Sequence, residues 1–257
     1  MSHDGGTAIG ERRRAIEGLA LGAVALAAVG SGYRWVAGAT MPETARLWLG
    51  PTAVVVAFLA AFLWRHRDET RTADGMAMES FGVANAVTVA RGVLIGGVAG
   101  FLLLDPRGPY VWLPAVGYGV AVVLDSVDGA VARSLGTESR LGARLDMAVD
   151  TTGFLVAPLV AVAWGWLPVW YLSLSAARYC YRAGCRLYRA RGGTVGSLPP
   201  SRLRRPLSGL QMGFLTLALV PVVPTGVVAA AAPFVLVPSL AVFARDFLAV
   251  TVLATEE

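Results

Sequence analysis

Long apolar runs separated by short polar segments dominate the chain. Runs of about 20 residues, the length that crosses a bilayer, occur near 16–38, 46–64, 86–104, 110–130, 147–166, 168–188, 207–227 and 232–253. The first run follows Glu11 and three arginines, and its length favours an uncleaved helix over a signal peptide. The pattern predicts an all-α, polytopic helical membrane protein with eight transmembrane helices.

The composition supports a membrane protein rather than a soluble one. Hydrophobic residues make up 56% of the 257 residues and charged residues 15%, and the mean hydropathy is +0.61, well above the soluble average. All 22 basic residues are arginines, and they cluster between the apolar runs, which favours membrane topology over nucleic-acid binding. Cys180 and Cys185 lack the companion ligands of a zinc site and are interpreted as packing residues.

The arginines also predict the orientation of the chain. Alternate loops carry most of them: Arg12, Arg13 and Arg14, then Arg65, Arg67 and Arg71, then Arg133, Arg140 and Arg144, then Arg186, Arg189, Arg191, Arg202, Arg204 and Arg205. The opposite loops contain little more than Arg34, Arg46 and Arg107. By the positive-inside rule, both termini and residues 124–150 face the cytoplasm. We therefore expect a multi-pass protein of the cell membrane.

The most polar interior stretch is residues 65–84, and it predicts a domain boundary. Residues 1–82 would form an N-terminal extension with two transmembrane helices and a polar linker, and residues 83–257 a six-helix domain. Glycines inside the apolar runs allow helices to approach closely in the bilayer. Examples are Gly96, Gly97, Gly100, Gly117 and Gly119.

Four aspartates lie within residues 124–150, in a chain otherwise suited to lipid. Asp125 and Asp128 are three residues apart and Asp146 and Asp150 four apart, so each pair projects from one face of a helix. The glycine-containing polar segment between the pairs predicts a short turn. Two antiparallel helices would then bring the pairs face to face at the cytoplasmic boundary.

The energetic cost of placing four acids at the membrane must be offset by other interactions. Each acid at membrane depth costs about 2.5–3.5 kcal/mol, and neighbouring carboxylates repel one another. One or two divalent cations such as Mg²⁺, Mn²⁺ or Ca²⁺ offset this cost through hard oxygen ligands, and Mg²⁺ often keeps positions open for phosphate oxygens. Spacing alone leaves three hypotheses: metal-assisted phosphate chemistry, cation or proton transport, and structural ion pairing.

Two motifs add a family resemblance. The stretch "DSVDGAVARSLGTESRLGARLDMAVD" resembles the signature of the CDP-alcohol phosphotransferases, Asp-x2-Asp-Gly-x2-Ala-Arg-x(7–8)-Gly-x3-Asp-x3-Asp, with all eight specified residues present. The stretch "NAVTVARGVL" supplies Asn85, Thr88 and Arg91 in the Asn-x2-Thr-x2-Arg pattern that commonly opens the first core helix of that family. The resemblance covers roughly residues 83–253 and leaves 1–82 unexplained.

The resemblance implies a transferase of substituted phosphate groups in phospholipid synthesis. Such an enzyme works as a homodimer with two divalent cations, Mg²⁺ or Mn²⁺, and releases CMP. Asp125, Asp128 and Asp146 resemble the main metal ligands, and Asp150 completes the second metal's shell and is the candidate general base. The nucleotide and diphosphate would contact Asn85, Thr88, Arg91, Asp125, Gly129, Ala132, Arg133 and Gly142.

The resemblance leaves both lipid and acceptor open. A lysine-free composition rich in Ala, Gly and Arg indicates a GC-rich genome, and in an archaeon the donor would be CDP-archaeol instead of CDP-diacylglycerol. Glycerol 3-phosphate or inositol phosphate is the favoured acceptor, with Arg178, Arg204, Arg205 and Arg245 as candidate ligands. For the loop arginines the alternative is topology and contact with lipid headgroups, and for Arg245 it is pairing with Asp246 or snorkelling to the membrane interface. The loop "SRLRRPLSGLQ" lacks the lysine common in such enzymes, and a cation or proton transporter remains the alternative function.

Overall fold

A computed structural model describes residues 20, 23–38, 42–66, 83–135, 140–193, 201 and 203–251. Within these ranges, the side chains of residues 42, 83–84, 127–135, 140, 182 and 251 are not described. The polar stretch after residue 66, on which the predicted domain boundary depends, lies mostly outside the described residues. The boundary at residues 82–83 therefore stays a prediction.

The described residues form eight α-helices and contain no strand. The helices are α1 (23–38), α2 (Pro42–His66), α3 (Val83–Ala99), α4 (Leu113–Leu135), α5 (Arg140–Ala163), α6 (Ser173–Ala190), α7 (Arg204–Ala218) and α8 (Thr225–Thr251). Single 3₁₀ turns at Gly100–Leu103 and Val169–Leu172 follow α3 and precede α6. Each predicted apolar run overlaps a helix, although the run 207–227 extends past the end of α7 into the start of α8. The all-α class is confirmed.

Four stretches of the described helices are long and apolar enough to cross a membrane: Glu43–His66, Asn85–Leu103, Leu141–Ala163 and Thr225–Val250. Within the described side chains of α4 the apolar stretch is shorter, Leu113–Ser126, and the charged residue Asp125 interrupts it near its end. Arginines interrupt α6 in the same way. The chain is a polytopic helical membrane protein, and its less apolar helices carry several of the predicted functional residues.

The helices divide into two compact units, with the division between Val160 and Ala161. In the first unit α3 packs against α2 and α4, and α5 reaches α3 as well. A Cβ atom placed on Gly153 of α5 would lie 3.2 Å from the Ile95 side chain. Helix α3 therefore has neighbours on several sides.

Helix α2 packs on a glycine face of α3. Gly92 and Gly96 lie four residues apart in α3 and share one face of the helix. Gly100 continues this spacing into the 3₁₀ turn that follows, and side chains of Leu59, Val56, Trp48 and Thr52 approach the three glycines. The Trp48 indole donates a hydrogen bond to the Gly97 carbonyl oxygen, with an Nε1–O distance of 3.0 Å. The second N-terminal helix, whose role the resemblance left open, thus covers the first helix of the family-like region.

We expect Gly96→Leu to lower the thermal stability of the purified protein. A Cβ atom at Gly96 would lie 2.9 Å from Val56 Cγ2 and 3.6 Å from the Thr52 backbone oxygen, and overpacking of this kind costs about 1–3 kcal/mol. The measurement is the midpoint of thermal unfolding in detergent. Gly50→Leu is the matched control, because no heavy atom lies within 4 Å of a Cβ at Gly50. Equal midpoints for the two variants would contradict close packing of α2 on α3.

In the second unit, α8 packs against both α6 and α7. Arg178 of α6 lies over the Phe243 ring and Tyr181 lies beside Phe247, so contacts advance together along α6 and α8 and the two helices run in the same direction. Arg204, at the start of α7, instead reaches Asp246 near the end of α8, so α7 runs opposite to α8. Helices α6 and α8 are therefore parallel to each other, and α7 is antiparallel to α8.

Candidate active site

A polar stripe runs along one face of α3. Asn85, Thr88 and Arg91 are three residues apart and therefore share a helix face, and all three side chains are buried. A buried guanidinium needs charged or hydrogen-bonding partners. The position of Arg91 therefore indicates where the acidic residues of the neighbouring helices must lie.

Arg91 joins three carboxylates from two other helices. Its Nη2 lies 2.7 Å from Asp125 Oδ1 on α4 and 2.7 Å from Asp150 Oδ1 on α5, while its Nη1 lies 2.6 Å from Asp146 Oδ1. The Nε group also donates to the Ala121 carbonyl oxygen at 3.2 Å, one turn before Asp125. The structure thus brings together the first aspartate of one predicted pair and both members of the other.

The three described carboxylates form a group that could hold a metal ion. One oxygen from each lies within 4.8 Å of the others, and all three residues are half-buried. A set of carboxylate oxygens is the donor set preferred by Mg²⁺, Mn²⁺ and Ca²⁺. Three carboxylates and one guanidinium also leave a net negative charge, which a divalent cation would compensate. The residues therefore fit a divalent ion.

Part of the predicted site lies outside the described side chains. Asp128, Gly129, Ala132 and Arg133 belong to α4, but their side chains are not described, and their roles stay predictions. Gly142 lies in the first turn of α5, four residues before Asp146, and therefore on the same helix face. Sequence reasoning assigned Arg91 to the diphosphate and did not foresee its bonds to the aspartates. Asn85, Thr88 and Arg91 follow one another at three-residue intervals, and this spacing could have predicted that they share a buried side of α3.

The predicted acceptor arginines lie in the second unit, and three of them surround one turn of α8. Arg204 and Arg245 both pair with Asp246, and the Arg178 guanidinium lies 5.6 Å from the centroid of the Phe243 ring. Arg205 is exposed on α7. The pairing of Arg245 with Asp246 was one of the two structural alternatives predicted from the sequence, the other being snorkelling to the membrane interface. The hydrogen bond from Arg204 to Asp246 joins residues that are 42 positions apart, and nothing in the sequence predicts it.

Comparison with known proteins gives relatives of this chain. A 127-residue segment is 35% identical to putative cardiolipin synthases of Mycobacterium tuberculosis and Mycobacterium bovis, covering 46% of this chain and 60% of each relative. The alignment therefore spans less than two thirds of these relatives' length. A 42-residue segment is 50% identical to the CDP-diacylglycerol--serine O-phosphatidyltransferase of Mycobacterium leprae, covering 16% of this chain and 14% of that protein.

A longer match is to a family model rather than to a single protein. It extends over residues 81–253, from the start of the α3 region to the end of α8, and includes every helix that carries a candidate site residue. It also contains both motifs noted in the sequence. The chain belongs to the CDP-alcohol phosphatidyltransferase family.

Proposed function

We propose that the protein is a membrane enzyme of phospholipid synthesis. It transfers the phosphatidyl or archaetidyl group of a CDP-lipid to the hydroxyl group of an alcohol and releases CMP. The observation that carries this proposal is the convergence of Asp125, Asp146 and Asp150 on Arg91. These residues occupy the family's signature positions, within the matched region.

Asp125, Asp146 and Asp150, together with Asp128, are the proposed ligands of two divalent ions, Mg²⁺ or Mn²⁺. When bound, such ions neutralise charge on the diphosphate and on the departing phosphate. The protein's own contribution is to fix the carboxylates. Arg91 does so with ion pairs of 2.6–2.7 Å, from a position that is itself only 2% exposed.

Asp150 is the proposed general base. The acceptor hydroxyl oxygen forms a bond to the β-phosphorus of the CDP-lipid, and its proton passes to the Asp150 carboxylate. The bond from the β-phosphorus to the bridging oxygen breaks, and CMP leaves with the bonding electron pair. Asp150 suits this role because it lies one turn beyond Asp146 and is half-buried beside the other carboxylates.

The remaining candidate residues are proposed to bind the nucleotide. Asn85 and Thr88 lie on the buried face of α3 that also carries Arg91, where they are suited to the ribose or diphosphate. Gly129, Ala132 and Gly142 are small and would let the nucleotide approach the helices. Arg133 would add a positive charge for the diphosphate.

The predicted topology suggests how two unlike substrates meet. The loop between α4 and α5 and the loop between α6 and α7 are both assigned to the cytoplasmic side by their arginines. Lipid tails stay among the helices, while the nucleotide and a water-soluble acceptor come from the cytoplasm. We propose a protein of the cell membrane that acts as a homodimer, with both termini in the cytoplasm.

The favoured acceptors are glycerol 3-phosphate and inositol phosphate, because Arg178, Arg204 and Arg245 lie around one turn of α8 and guanidinium groups bind phosphate well. Exposed Arg205 is the fourth candidate ligand. The names of the relatives give two other candidate acceptors. Serine is the acceptor named for the Mycobacterium leprae relative, and phosphatidylglycerol would serve a cardiolipin-forming enzyme.

An acceptor screen with labelled CDP-diacylglycerol and CDP-archaeol tests the function. We expect CMP release only when a divalent ion and an acceptor are both present, with glycerol 3-phosphate or inositol phosphate giving the highest rate. The other acceptors tested are serine, inositol and phosphatidylglycerol. Chelation with EDTA should stop the reaction, and added Mn²⁺ should restore it.

The same preparation tests the transporter alternative, which intramembrane acids also permit. Sealed vesicles containing the protein are supplied with Mn²⁺ or a pH gradient, and ion flux is followed beside CDP-lipid consumption. Flux without any consumption of CDP-lipid would contradict the proposed enzyme.

A further inference from the structure

Helix α8 contains a buried acid that the proposed chemistry does not use. Arg245 and Asp246 are the only charged residues among its 27 residues, and the span Thr225–Val250 has a mean hydropathy of 2.3, the highest of the four candidate spans. Asp246 is only 5% exposed. A carboxylate in such surroundings requires charged partners.

Two arginines bind the Asp246 carboxylate, each at a different oxygen. Arg204 Nε donates to Oδ2 at 2.6 Å, and Arg245 donates to Oδ1 from Nη2 at 2.8 Å and from Nε at 3.2 Å. Both guanidinium groups thus turn their Nε edge towards Asp246. Among the described residues, the buried Nη2 of Arg204 has no hydrogen-bond partner. The bond from Nε of the same guanidinium group to Asp246 fixes the plane in which this donor lies.

A third guanidinium lies on the same side of α8. Arg178 of α6 lies over Phe243, which precedes Asp246 by three residues and shares its helix face. Guanidinium groups carried by α6, α7 and α8 therefore lie around one turn of α8, and Asp246 is the carboxylate that the described residues place among them. Directed N–H donors with an excess of positive charge suit an anion with several oxygens, such as a phosphate monoester.

We propose that Asp246 is a positioning residue for acceptor binding: it orients Arg204 and Arg245 so that their remaining N–H groups bind the acceptor's phosphate. The inference rests on the proposed function, because it takes the anion to be that of a phosphorylated acceptor. Arginine side chains have many rotamers, and a bond at Nε removes most of them before the ligand arrives. Asp246 also repels an anion, so orientation and repulsion have opposite effects on affinity.

The decisive variant is Asp246→Asn, which keeps the size of the side chain and removes its charge. If orientation dominates, the KM for glycerol 3-phosphate rises by about 10-fold or more, as for loss of a charged hydrogen bond. The KM for CDP-diacylglycerol should stay within about 2-fold, since a purely structural role would change both constants. A second measurement is stabilisation by inorganic phosphate in a thermal-unfolding assay without CDP-lipid, which we expect the variant to lose.

Asp105→Asn is the matched control, because Asp105 is exposed in the segment after α3. An unchanged or lower KM for glycerol 3-phosphate in Asp246→Asn would overturn the inference, since repulsion would then outweigh orientation. If Asp246→Asn does not fold, Arg204→Gln tests the inference instead, because the inference requires the same rise in the KM for the acceptor.

Activity of the wild-type protein with serine but with no phosphorylated acceptor would refute this inference and leave the transferase function standing. No CMP release with any acceptor would instead refute the function.

Discussion

Asp150→Asn is expected to lower kcat by at least about 100-fold, the smaller end of the usual contribution of a general base. The amide cannot take the proton of the acceptor hydroxyl. The substitution also removes one of the three carboxylates that lie around Arg91. The measurement is CMP release at saturating CDP-lipid, acceptor and Mn²⁺.

Comparison with Asp146→Asn separates the two roles of Asp150. Both variants should bind Mn²⁺ more weakly, which titration followed by electron paramagnetic resonance detects. At saturating Mn²⁺, only Asp150→Asn should keep the full loss of kcat. Asp105→Asn, at an exposed position, is the control and should retain wild-type activity. Full activity in Asp150→Asn would refute its assignment as general base.

The second large effect is expected for Arg91→Gln. Removing one partner of a fully buried ion pair costs about 3–5 kcal/mol, and we expect the lower end of that range because the three carboxylates are only half-buried. The loss leaves these carboxylates facing one another without their guanidinium. For a chain of this size, that corresponds to a fall of the unfolding midpoint on the order of 10 °C. The measurement is thermal unfolding in detergent with EDTA present.

Mn²⁺ should restore part of the stability lost in Arg91→Gln, because a divalent cation neutralises the same carboxylates. The gain on adding Mn²⁺ should therefore be larger in the variant than in the wild type. Arg91→Lys keeps the charge without the planar fork and should fall between the two. Arg107→Gln is the control, since the Arg107 side chain is 90% exposed. A variant as stable as the wild type in EDTA would show that Arg91 does not stabilise the carboxylate group.

Features that depend on nearby residues were predictable from the sequence. Hydropathy predicted the helices, because a membrane span requires about 20 consecutive apolar residues and these are visible in the sequence. Spacing placed Asp146 with Asp150 on one helix face, and it placed Thr88, three residues from each, beside both Asn85 and Arg91. The short connection between α4 and α5 then sufficed to bring Asp125 near the second pair, as the structure shows.

Features that depend on distant residues were not predictable. A guanidinium binds a phosphate or a carboxylate with the same donors, so the sequence could not show that Arg91 pairs with three aspartates. The bond between Arg204 and Asp246 depends on the packing of α7 against α8. Glycines in α3 indicated a close helix approach, but any helix in the chain could have been the partner.

The packing of α2 on α3 has a consequence for how this enzyme can be shortened. The family match begins at residue 81, yet the Gly92, Gly96 and Gly100 face of α3 is covered by side chains from residues 48–59. A chain trimmed to the family region would expose that smooth face to lipid, directly beside Arg91, and would lose the Trp48 bond to Gly97. We therefore expect a shortened version of this protein to be stable only if it retains α2, although the family match alone would discard that helix.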